Sequence, residues 1–177
     1  KNYLHTLQNI FPASGLSAAF LVQLYTIDAK LNAKELREAA DNLANPVTET
    51  YSVMDIPAPE SYAGAIEIGF LPGVTDNAGH TARQTIEDCT GRKFKDAEAV
   101  YSSFILFLGG AVSAGDAERM ARELHNPLIE RATVFSGAQK KFPLVVPKVK
   151  LEKARVPVIE VDLNVDDAEL EKLGKEG

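Results

Sequence analysis

The sequence predicts an α+β fold made of two copies of one unit, with a mixed or antiparallel sheet and helices on one face. A 17-residue segment recurs at a constant offset along the chain. The same order of strand-like and helix-like patterns surrounds both copies. The composition is that of a globular protein, with 45% hydrophobic and 25% charged residues. The chain has 177 residues, so each of two units is small enough to need packing against the other.

The repeat relates residues 33–49 to residues 114–130, an offset of 81 positions. Both copies place apolar residues three and four positions apart, which is typical of a helix with one buried face. Each copy starts at a capping residue, Asn32 or Ser113, with an acid three positions later, and stops at Asn-Pro. The apolar positions are Leu36, Ala39, Ala40 and Leu43 in the first copy, and Ala117, Met120, Ala121 and Leu124 in the second.

Strand-like runs flank both helices. Residues 19–27 and 101–108 precede the helices, and the shorter runs 47–53 and 128–135 follow them. The shorter runs alternate polar and apolar residues, as half-buried strands do. For the contact between copies, two arrangements are open: either Phe20, Val22 and Leu24 or the alternate face of that strand packs against Phe104, Leu106 and Leu108.

The second copy has further elements at its front. Residues 65–71 read as a strand, Pro72-Gly73 as a turn, and residues 77–90 as a helix capped by Thr75 or Asp76 and ended by Gly91. A complete unit is therefore strand, helix, strand, helix, strand. The first copy starts in a helix at residues 3–11, so its opening strand is expected before Lys1. The side chains expected to be buried are Ile66, Ile68 and Phe70 on the strand, and Ala78, Ala82, Ile86 and Cys89 on the helix.

The expected organisation is a first repeat at 1–56, a second repeat at 64–136, and a linker with the start of a following region at 140–177. Three prolines among alternating valines and lysines indicate an extended segment from Lys140 to Val158. Residues 158–162 could add an edge strand. Residues 166–175 read as a short charged helix that begins with a capping box between Asp166 and Glu169.

Charge and composition exclude several classes of protein. The net charge is −6 and basic residues are not clustered, which argues against nucleic acid as a partner. A single cysteine, Cys89, excludes an internal disulfide. No apolar run approaches the roughly 20 residues of a membrane-spanning helix, so neither membrane insertion nor a signal peptide is predicted. These observations favour a cytoplasmic protein.

We assign no catalytic, cofactor-binding or metal-binding residue from the sequence. Asp76 and His80 lie four apart on one helix face but lack a third metal ligand, and Cys89 reads as a buried, inert thiol. The segment from Gly73 to Gly79 could hold an anion at a helix start, although a turn that requires glycine explains it better. The acids Asp162, Asp166 and Asp167 read as the start of a helix, and His5 and His125 have no nucleophile at a recognisable spacing.

Several motifs resemble one known family. Residues 73–79 after a strand, and the Leu-x-Asn-Pro-x-x-Glu pattern of residues 43–49 and 124–130 after a helix, resemble the PurS subunit of phosphoribosylformylglycinamidine synthase. Residues 161–173 look like the linker that opens the synthetase part of fused enzymes of this family. The sequence departs from the family pattern at Asn77, where proline is usual, and at Thr48, where isoleucine is usual.

The resemblance implies a role in assembly, with no active site of its own. The family's enzyme, a carbon–nitrogen ligase of purine biosynthesis, amidates formylglycinamide ribonucleotide with ATP, magnesium and ammonia from glutamine. PurS units pair and bridge its synthetase and glutaminase parts. The resemblance therefore implies intramolecular pairing of the two repeats or a further homodimer, ATP and Mg²⁺ only in the parent enzyme, and no cofactor here. The alternative is a regulatory α+β module that senses an amino acid or nucleotide between its repeats.

Overall fold

The computed structural model describes residues 3–139, 141–149 and 165–176. Within them the chain is an α+β protein with one four-stranded antiparallel sheet and five helices. The strands are β1 (Leu16–Asp28), β2 (Gly64–Phe70), β3 (Ala99–Gly110) and β4 (Glu130–Ser136). The helices are α1 (Tyr3–Ile10), α2 (Ala33–Leu43), α3 (Asn77–Thr90), α4 (Ala114–Leu124) and α5 (Asp167–Glu176).

The sheet has the strand order β1-β3-β2-β4. The two long strands, β1 and β3, pair from Leu16 opposite Gly110 to Asp28 opposite Ala99. At the centre of this ladder Gln23 lies opposite Phe104, which is its own counterpart at the 81-residue offset. On either side of this pair, Val22 lies opposite Ile105 and Leu24 lies opposite Ser103, so counterparts are exchanged across the pair. The two strands are therefore related by a local two-fold axis.

Helices α1 to α4 lie on one face of the sheet. Ile66 and Ile68 of β2 pack with α1 and α4, together with Leu106 and Leu108 of β3. Val100, near the start of β3, packs with α2 and α3. The pairs α1 with α4 and α2 with α3 therefore each combine one helix from each copy. They cover the side chains of the strands that point toward the helical face of the sheet.

The predicted helix caps are confirmed. The Asn32 side chain accepts hydrogen bonds from the backbone N–H groups of Lys34 and Glu35 at 2.9 and 3.0 Å, and the Glu35 carboxylate accepts from Asn32 N–H at 2.7 Å. Ser113 Oγ accepts from Asp116 N–H at 3.1 Å. Of the two candidates for α3, Asp76 is the cap, and Gly91 follows the helix with a φ of 70°.

The Asn-Pro segment forms the same turn in both copies. Asn45 N–H donates to the Glu49 carboxylate at 2.8 Å, and Asn126 N–H donates to the Glu130 carboxylate at 2.7 Å. The backbone N–H groups of both glutamates donate to the asparagine carbonyl oxygens, at 2.9 and 2.8 Å. Each asparagine side chain also accepts from the N–H two residues on. The shared residue pattern thus specifies a shared local structure.

The prediction of a strand at residues 47–53 is wrong. The corresponding segment of the second copy is β4, which pairs with β2 from Gly64 opposite Ser136 to Phe70 opposite Glu130. Among the described residues no strand lies beside residues 49–55, so this segment has no neighbour with which to form the hydrogen bonds of a strand. The strand expected at 128–135 begins at Glu130, because the turn occupies the residues before it.

Packing decides one question that the sequence left open and corrects one expectation. Phe20 lies opposite Phe107, so Phe20, Val22 and Leu24 face away from the helices and the alternate face shares a side with Leu106. On α3 the buried residues are Gly79, Ala82 and Ile86, whereas Ala78 is exposed and Cys89 is half-buried. Ala78 is exposed because it lines an open groove.

The segment 141–149 is extended and crosses the face opposite the helices. Phe142 packs edge-on against Phe107 and Phe135, with ring centroids 5.6 and 5.0 Å apart. Further along, Lys148 forms an ion pair with Asp28. In α5, Asp166 Oδ1 accepts from Glu169 N–H at 3.0 Å. The strand expected at 158–162 lies outside the described residues.

Candidate functional site

The outer edge of β1 is the main candidate surface, because β1 is an edge strand whose equivalent, β3, lies in the interior of the sheet. Residues 103–108 of β3 pair with β2, and β2 pairs in turn with β4. The same positions in the first copy are residues 22–27 and 49–55. We call the open surface beside residues 22–27, bordered by α2 and α3, the strand slot.

Two open cavities mark the strand slot. The first has a volume of about 430 Å³, and polar and apolar side chains both line it: Tyr25 of β1, Asn42 and Leu43 of α2, and Asn77, Ala78, Thr81, Ala82 and Thr85 of α3. The second, of about 330 Å³, lies between the end of α2 and the chain that follows it, and Tyr51 is among its lining residues. Whereas α4 packs on β2 and β4, the main packing partner of α2 is α3. Helix α2 is therefore held mainly by the neighbouring helix.

Two tyrosines define the electrostatics of the strand slot. Partial burial, followed by the negative charges of Glu49 and Asp76, raises the pKa of Tyr25. Tyr51 donates a hydrogen bond to Asp41 at 2.5 Å, and this bond raises the pKa of Tyr51. Both phenols are therefore neutral at physiological pH, and they add hydroxyl groups to surfaces that already carry polar side chains.

The face opposite the helices is a second candidate surface. Phe107 is buried there and contacts Tyr62 edge-on, with ring centroids 4.9 Å apart. Phe20 packs beside Phe107 but remains 50% exposed. Segments 56–62 and 141–149 cover part of this face, so its exposed area is concentrated near β1.

A polar pair lies within this second face. Arg131 Nη2 donates to Glu67 Oε1 at 2.9 Å, and Glu67 is only 5% exposed. Gly69 makes room for the guanidinium, because a Cβ there would lie 3.0 Å from Arg131 Nη2. Arg131 Nε and Nη1 are buried without a hydrogen-bond partner among the described residues. This pair was not predicted from the sequence, although a glutamate within the run Ile66-Glu67-Ile68 was a signal for it.

The residues considered for a metal or anion site have structural partners. The Asp76 carboxylate accepts from Gly79 N–H at 2.7 Å, from Ser102 N–H at 2.5 Å and from Ser102 Oγ at 2.7 Å. It therefore joins the start of α3 to β3. His80 is exposed on α3, and Gly73 adopts a φ of 85° in the turn before the helix. The structure does not bring Asp76 and His80 together with a third ligand, since no group of three metal-ligating side chains occurs among the described residues.

The other candidates are dispersed. Burial raises the pKa of the Cys89 thiol, which disfavours the reactive thiolate. His125 Nδ1 lies 2.6 Å from the carbonyl oxygen of Ala121, and His5 Nε2 lies 3.3 Å from Asn9 Nδ2. Asp166 and Asp167 are at the start of α5, whereas Asp162 lies outside the described residues.

Comparison with protein-family models and with curated sequences returns no match. No protein-family model matches the chain, and no curated protein has a significantly similar sequence. Across residues 3–139, 141–149 and 165–176, no helix has the length and apolar character needed to span a bilayer.

Proposed function

We propose that this chain is a non-catalytic bridging domain of phosphoribosylformylglycinamidine synthase, built from two PurS-like units. Its role would be to couple ammonia from the glutaminase to the ATP-dependent amidation of formylglycinamide ribonucleotide. The observation that carries the proposal is the pairing of β1 with β3 about Gln23 and Phe104, which are equivalent residues of the repeat. Such pairing makes one sheet from two units, as the resemblance to paired PurS units implies.

The repeated turn supports the same interpretation. The Asn-Pro segments that carry much of the resemblance form matching hydrogen bonds around Asn45 and Asn126. Their function in the chain is thus structural, since they join a helix to the segment that follows. A structural role for the conspicuous motifs is what a scaffold requires.

The test uses the natural polypeptide that carries these residues, with and without residues 3–136, in a strain that lacks its own synthase. Growth without purines and the purified amidation rate would be measured with glutamine and, in parallel, with ammonia. A bridging domain predicts that deletion lowers the glutamine-dependent rate at least about tenfold more than the ammonia-dependent rate. Equal loss with both nitrogen sources, or no amidation by the intact polypeptide, would contradict the proposal.

A point variant separates bridging from folding. Phe20→Glu places a charge on the half-exposed aromatic of the uncovered face, whereas Val47→Glu places one at the turn, where the side chain is 88% exposed. If the uncovered face contacts the catalytic parts, Phe20→Glu lowers the glutamine-dependent rate and Val47→Glu leaves it unchanged. Circular dichroism checks that both variants retain the fold.

The cavity of about 430 Å³ favours one alternative, a module that senses an amino acid or nucleotide. This cavity lies between α2 of the first unit and α3 of the second, where a ligand shared by two units would bind. A thermal-shift panel of amino acids and nucleotides distinguishes the two functions, because a ligand that binds the folded state raises its melting temperature. A shift that Ala78→Glu removes would support the sensor and oppose the scaffold.

A further inference from the structure

We propose that residues 141–149, which we call the strap, form a releasable cover over the face of the sheet opposite the helices. An aromatic plug, Phe142, and a latch, the ion pair between Lys148 and Asp28, hold the strap closed. When the strap opens, the plug leaves the face, and the apolar surface around Phe20 is enlarged. This inference concerns a motion of the chain itself and does not depend on the proposed bridging function.

The plug covers a buried row of this face. Ala65 of β2 is paired with Phe107 on one side and with Phe135 on the other. The Phe142 ring packs against both of these rings, with centroids 5.6 and 5.0 Å away, so it lies above Ala65. Ala65 is fully buried, and Phe107 is 1% exposed. Withdrawal of Phe142 therefore opens a path to Ala65.

The strap starts from a fixed point. Gly137 N–H donates to the carbonyl oxygen of Ala63 at 2.9 Å, and Gln139 N–H donates to the Tyr62 hydroxyl at 2.7 Å. Within the part of the chain that the structure describes, no backbone hydrogen bond joins residues 141–149 to the sheet. The strap can therefore swing about the chain after Gln139 while the ladders of the sheet stay intact.

Closing the strap buries little of its own apolar surface. The aliphatic residues Leu144, Val146 and Val149 are 77%, 37% and 54% exposed. Among the described residues, Phe142 is the only strap residue that packs on the apolar cluster of this face. Because ordering each residue costs backbone entropy, a strap with one buried anchor is closed by a small margin, and removal of a single contact should shift it measurably.

The latch lies at the far end of the strap from the plug. Lys148 Nζ forms an ion pair with Asp28, the last residue of β1, and donates to the carbonyl oxygen of Ala97 at 3.0 Å. The two charged side chains are 47% and 34% exposed, and an ion pair at such a site has a small net effect that salt screens. The latch therefore adds to closure without making it permanent.

Two prolines couple the latch to the plug. Pro143 and Pro147 fix their own φ angles and favour an extended backbone at the residues before them. A segment stiffened in this way moves as one piece more than a glycine-rich segment would. Release of Lys148 at one end is therefore expected to loosen Phe142 at the other.

Thiol labelling measures the opening. In a Cys89→Ser background, which has no other cysteine, Ala65→Cys places a thiol beneath the plug. Ala117→Cys places one in the core on the helical face. The rate of reaction with a disulfide reagent under native conditions reports how often each thiol becomes accessible. If the strap opens while the sheet stays folded, Ala65→Cys should react at least about tenfold faster than Ala117→Cys.

Three substitutions added to Ala65→Cys test the plug and the latch. Phe142→Ala should raise the labelling rate at least about tenfold, and Lys148→Met should raise it about threefold. Lys141→Met is the matched control, because it makes the same change at another exposed lysine of the strap, and it should alter the rate less than about 1.5-fold. Salt at about 1 M should raise the rate when Lys148 is present and leave that of Lys148→Met unchanged.

Equal effects of Lys148→Met and Lys141→Met would overturn the proposal, and so would an unchanged rate in Phe142→Ala. Parallel labelling of Ala65→Cys and Ala117→Cys would also overturn it, because both thiols would then report unfolding of the whole chain. Residues 150–164 lie outside the described residues and are present in every variant, so each comparison isolates the strap.

A second measurement leaves Ala65 unsubstituted. The ring currents of Phe107, Phe135 and Phe142 act on the Ala65 methyl group, so its NMR chemical shift reports the position of the plug. Lys148→Met should move this shift toward the value found in Phe142→Ala, and Lys141→Met should not. No movement in Lys148→Met, or equal movement in both lysine variants, would contradict the coupling of latch and plug.

Discussion

Replacing Glu67 with alanine should lower the free energy of unfolding by about 3 kcal/mol. The change removes the carboxylate 2.9 Å from Arg131 and leaves a largely buried guanidinium, two of whose nitrogens have no hydrogen-bond partner in the part of the chain that the structure describes. Breaking a buried ion pair costs about 3–5 kcal/mol, and the 19% exposure of the Arg131 side chain places this one at the lower end. With a urea slope of about 2 kcal/mol/M, the midpoint should fall by about 1.5 M.

A double-mutant cycle measures whether the pair is responsible. Arg131→Ala alone should cost a similar amount, because it leaves Glu67 buried without its partner. The double variant Glu67→Ala with Arg131→Ala should cost clearly less than the sum of the two single variants, since it leaves neither charge buried without its partner. Thr50→Ala, at the repeat counterpart of Arg131, is the control and should change stability by less than about 0.5 kcal/mol.

Urea unfolding would be followed by circular dichroism and tyrosine fluorescence, because the chain has five tyrosines and no tryptophan. The reasoning is refuted if either single variant costs less than about 1 kcal/mol, or if the two costs add in the double variant. Additive costs would mean that each side chain contributes through its own packing and that the ion pair is incidental.

Three other outcomes are expected. Met120→Ala should cost about 2–5 kcal/mol in urea unfolding, because Met120 is fully buried in the core between α1 and α4. Asn126→Ala should lower the free energy of unfolding by about 1 kcal/mol, and Asn45→Ala should lower it less. Both variants lose the same hydrogen bond, but among the described residues only the turn at Asn126 leads into a paired strand. A hydrogen bond from Phe94 N–H lowers the pKa of Glu87 in the folded protein. The stability that the ionised Glu87 contributes is therefore complete above its ordinary pKa and is lost as the pH falls through its lowered pKa. Glu87→Gln should therefore lower the melting temperature at pH 7 more than at pH 3. A difference in melting temperature between the natural chain and the variant that is as large at pH 3 as at pH 7 would contradict this.

Features set by short-range chemistry could be predicted from the sequence. The capping box at Asn32, the cap at Asp76 and the left-handed Gly91 involve neighbours within a few residues, so their contacts follow from local residue patterns. The helix bounds from Ala33 to Leu43 follow from the same local patterns.

Features that depend on a distant partner could not be predicted in this way. Residues 47–53 have the alternation of a strand, but a strand forms only where a neighbour supplies hydrogen bonds. The face of Phe20 depends on its pairing with Phe107, 87 positions away, which alternation leaves open. The strand slot is likewise visible only once β3 and β1 are seen to have different numbers of partners.

The pair at the centre of the β1–β3 ladder has a consequence for symmetry. An axis between two identical chains must place the same residue on both of its sides, so neither side can change without the other. Here the two sides are Gln23 and Phe104, and they have different tasks. The Gln23 amide donates to the carbonyl oxygen of Ser103 at 2.9 Å, while the Phe104 ring packs beside Tyr3 with centroids 6.0 Å apart. Covalent linkage of the two halves lets one side of the axis carry a polar side chain while the other carries an aromatic one. A strictly symmetric dimer of identical chains could not differ in this way.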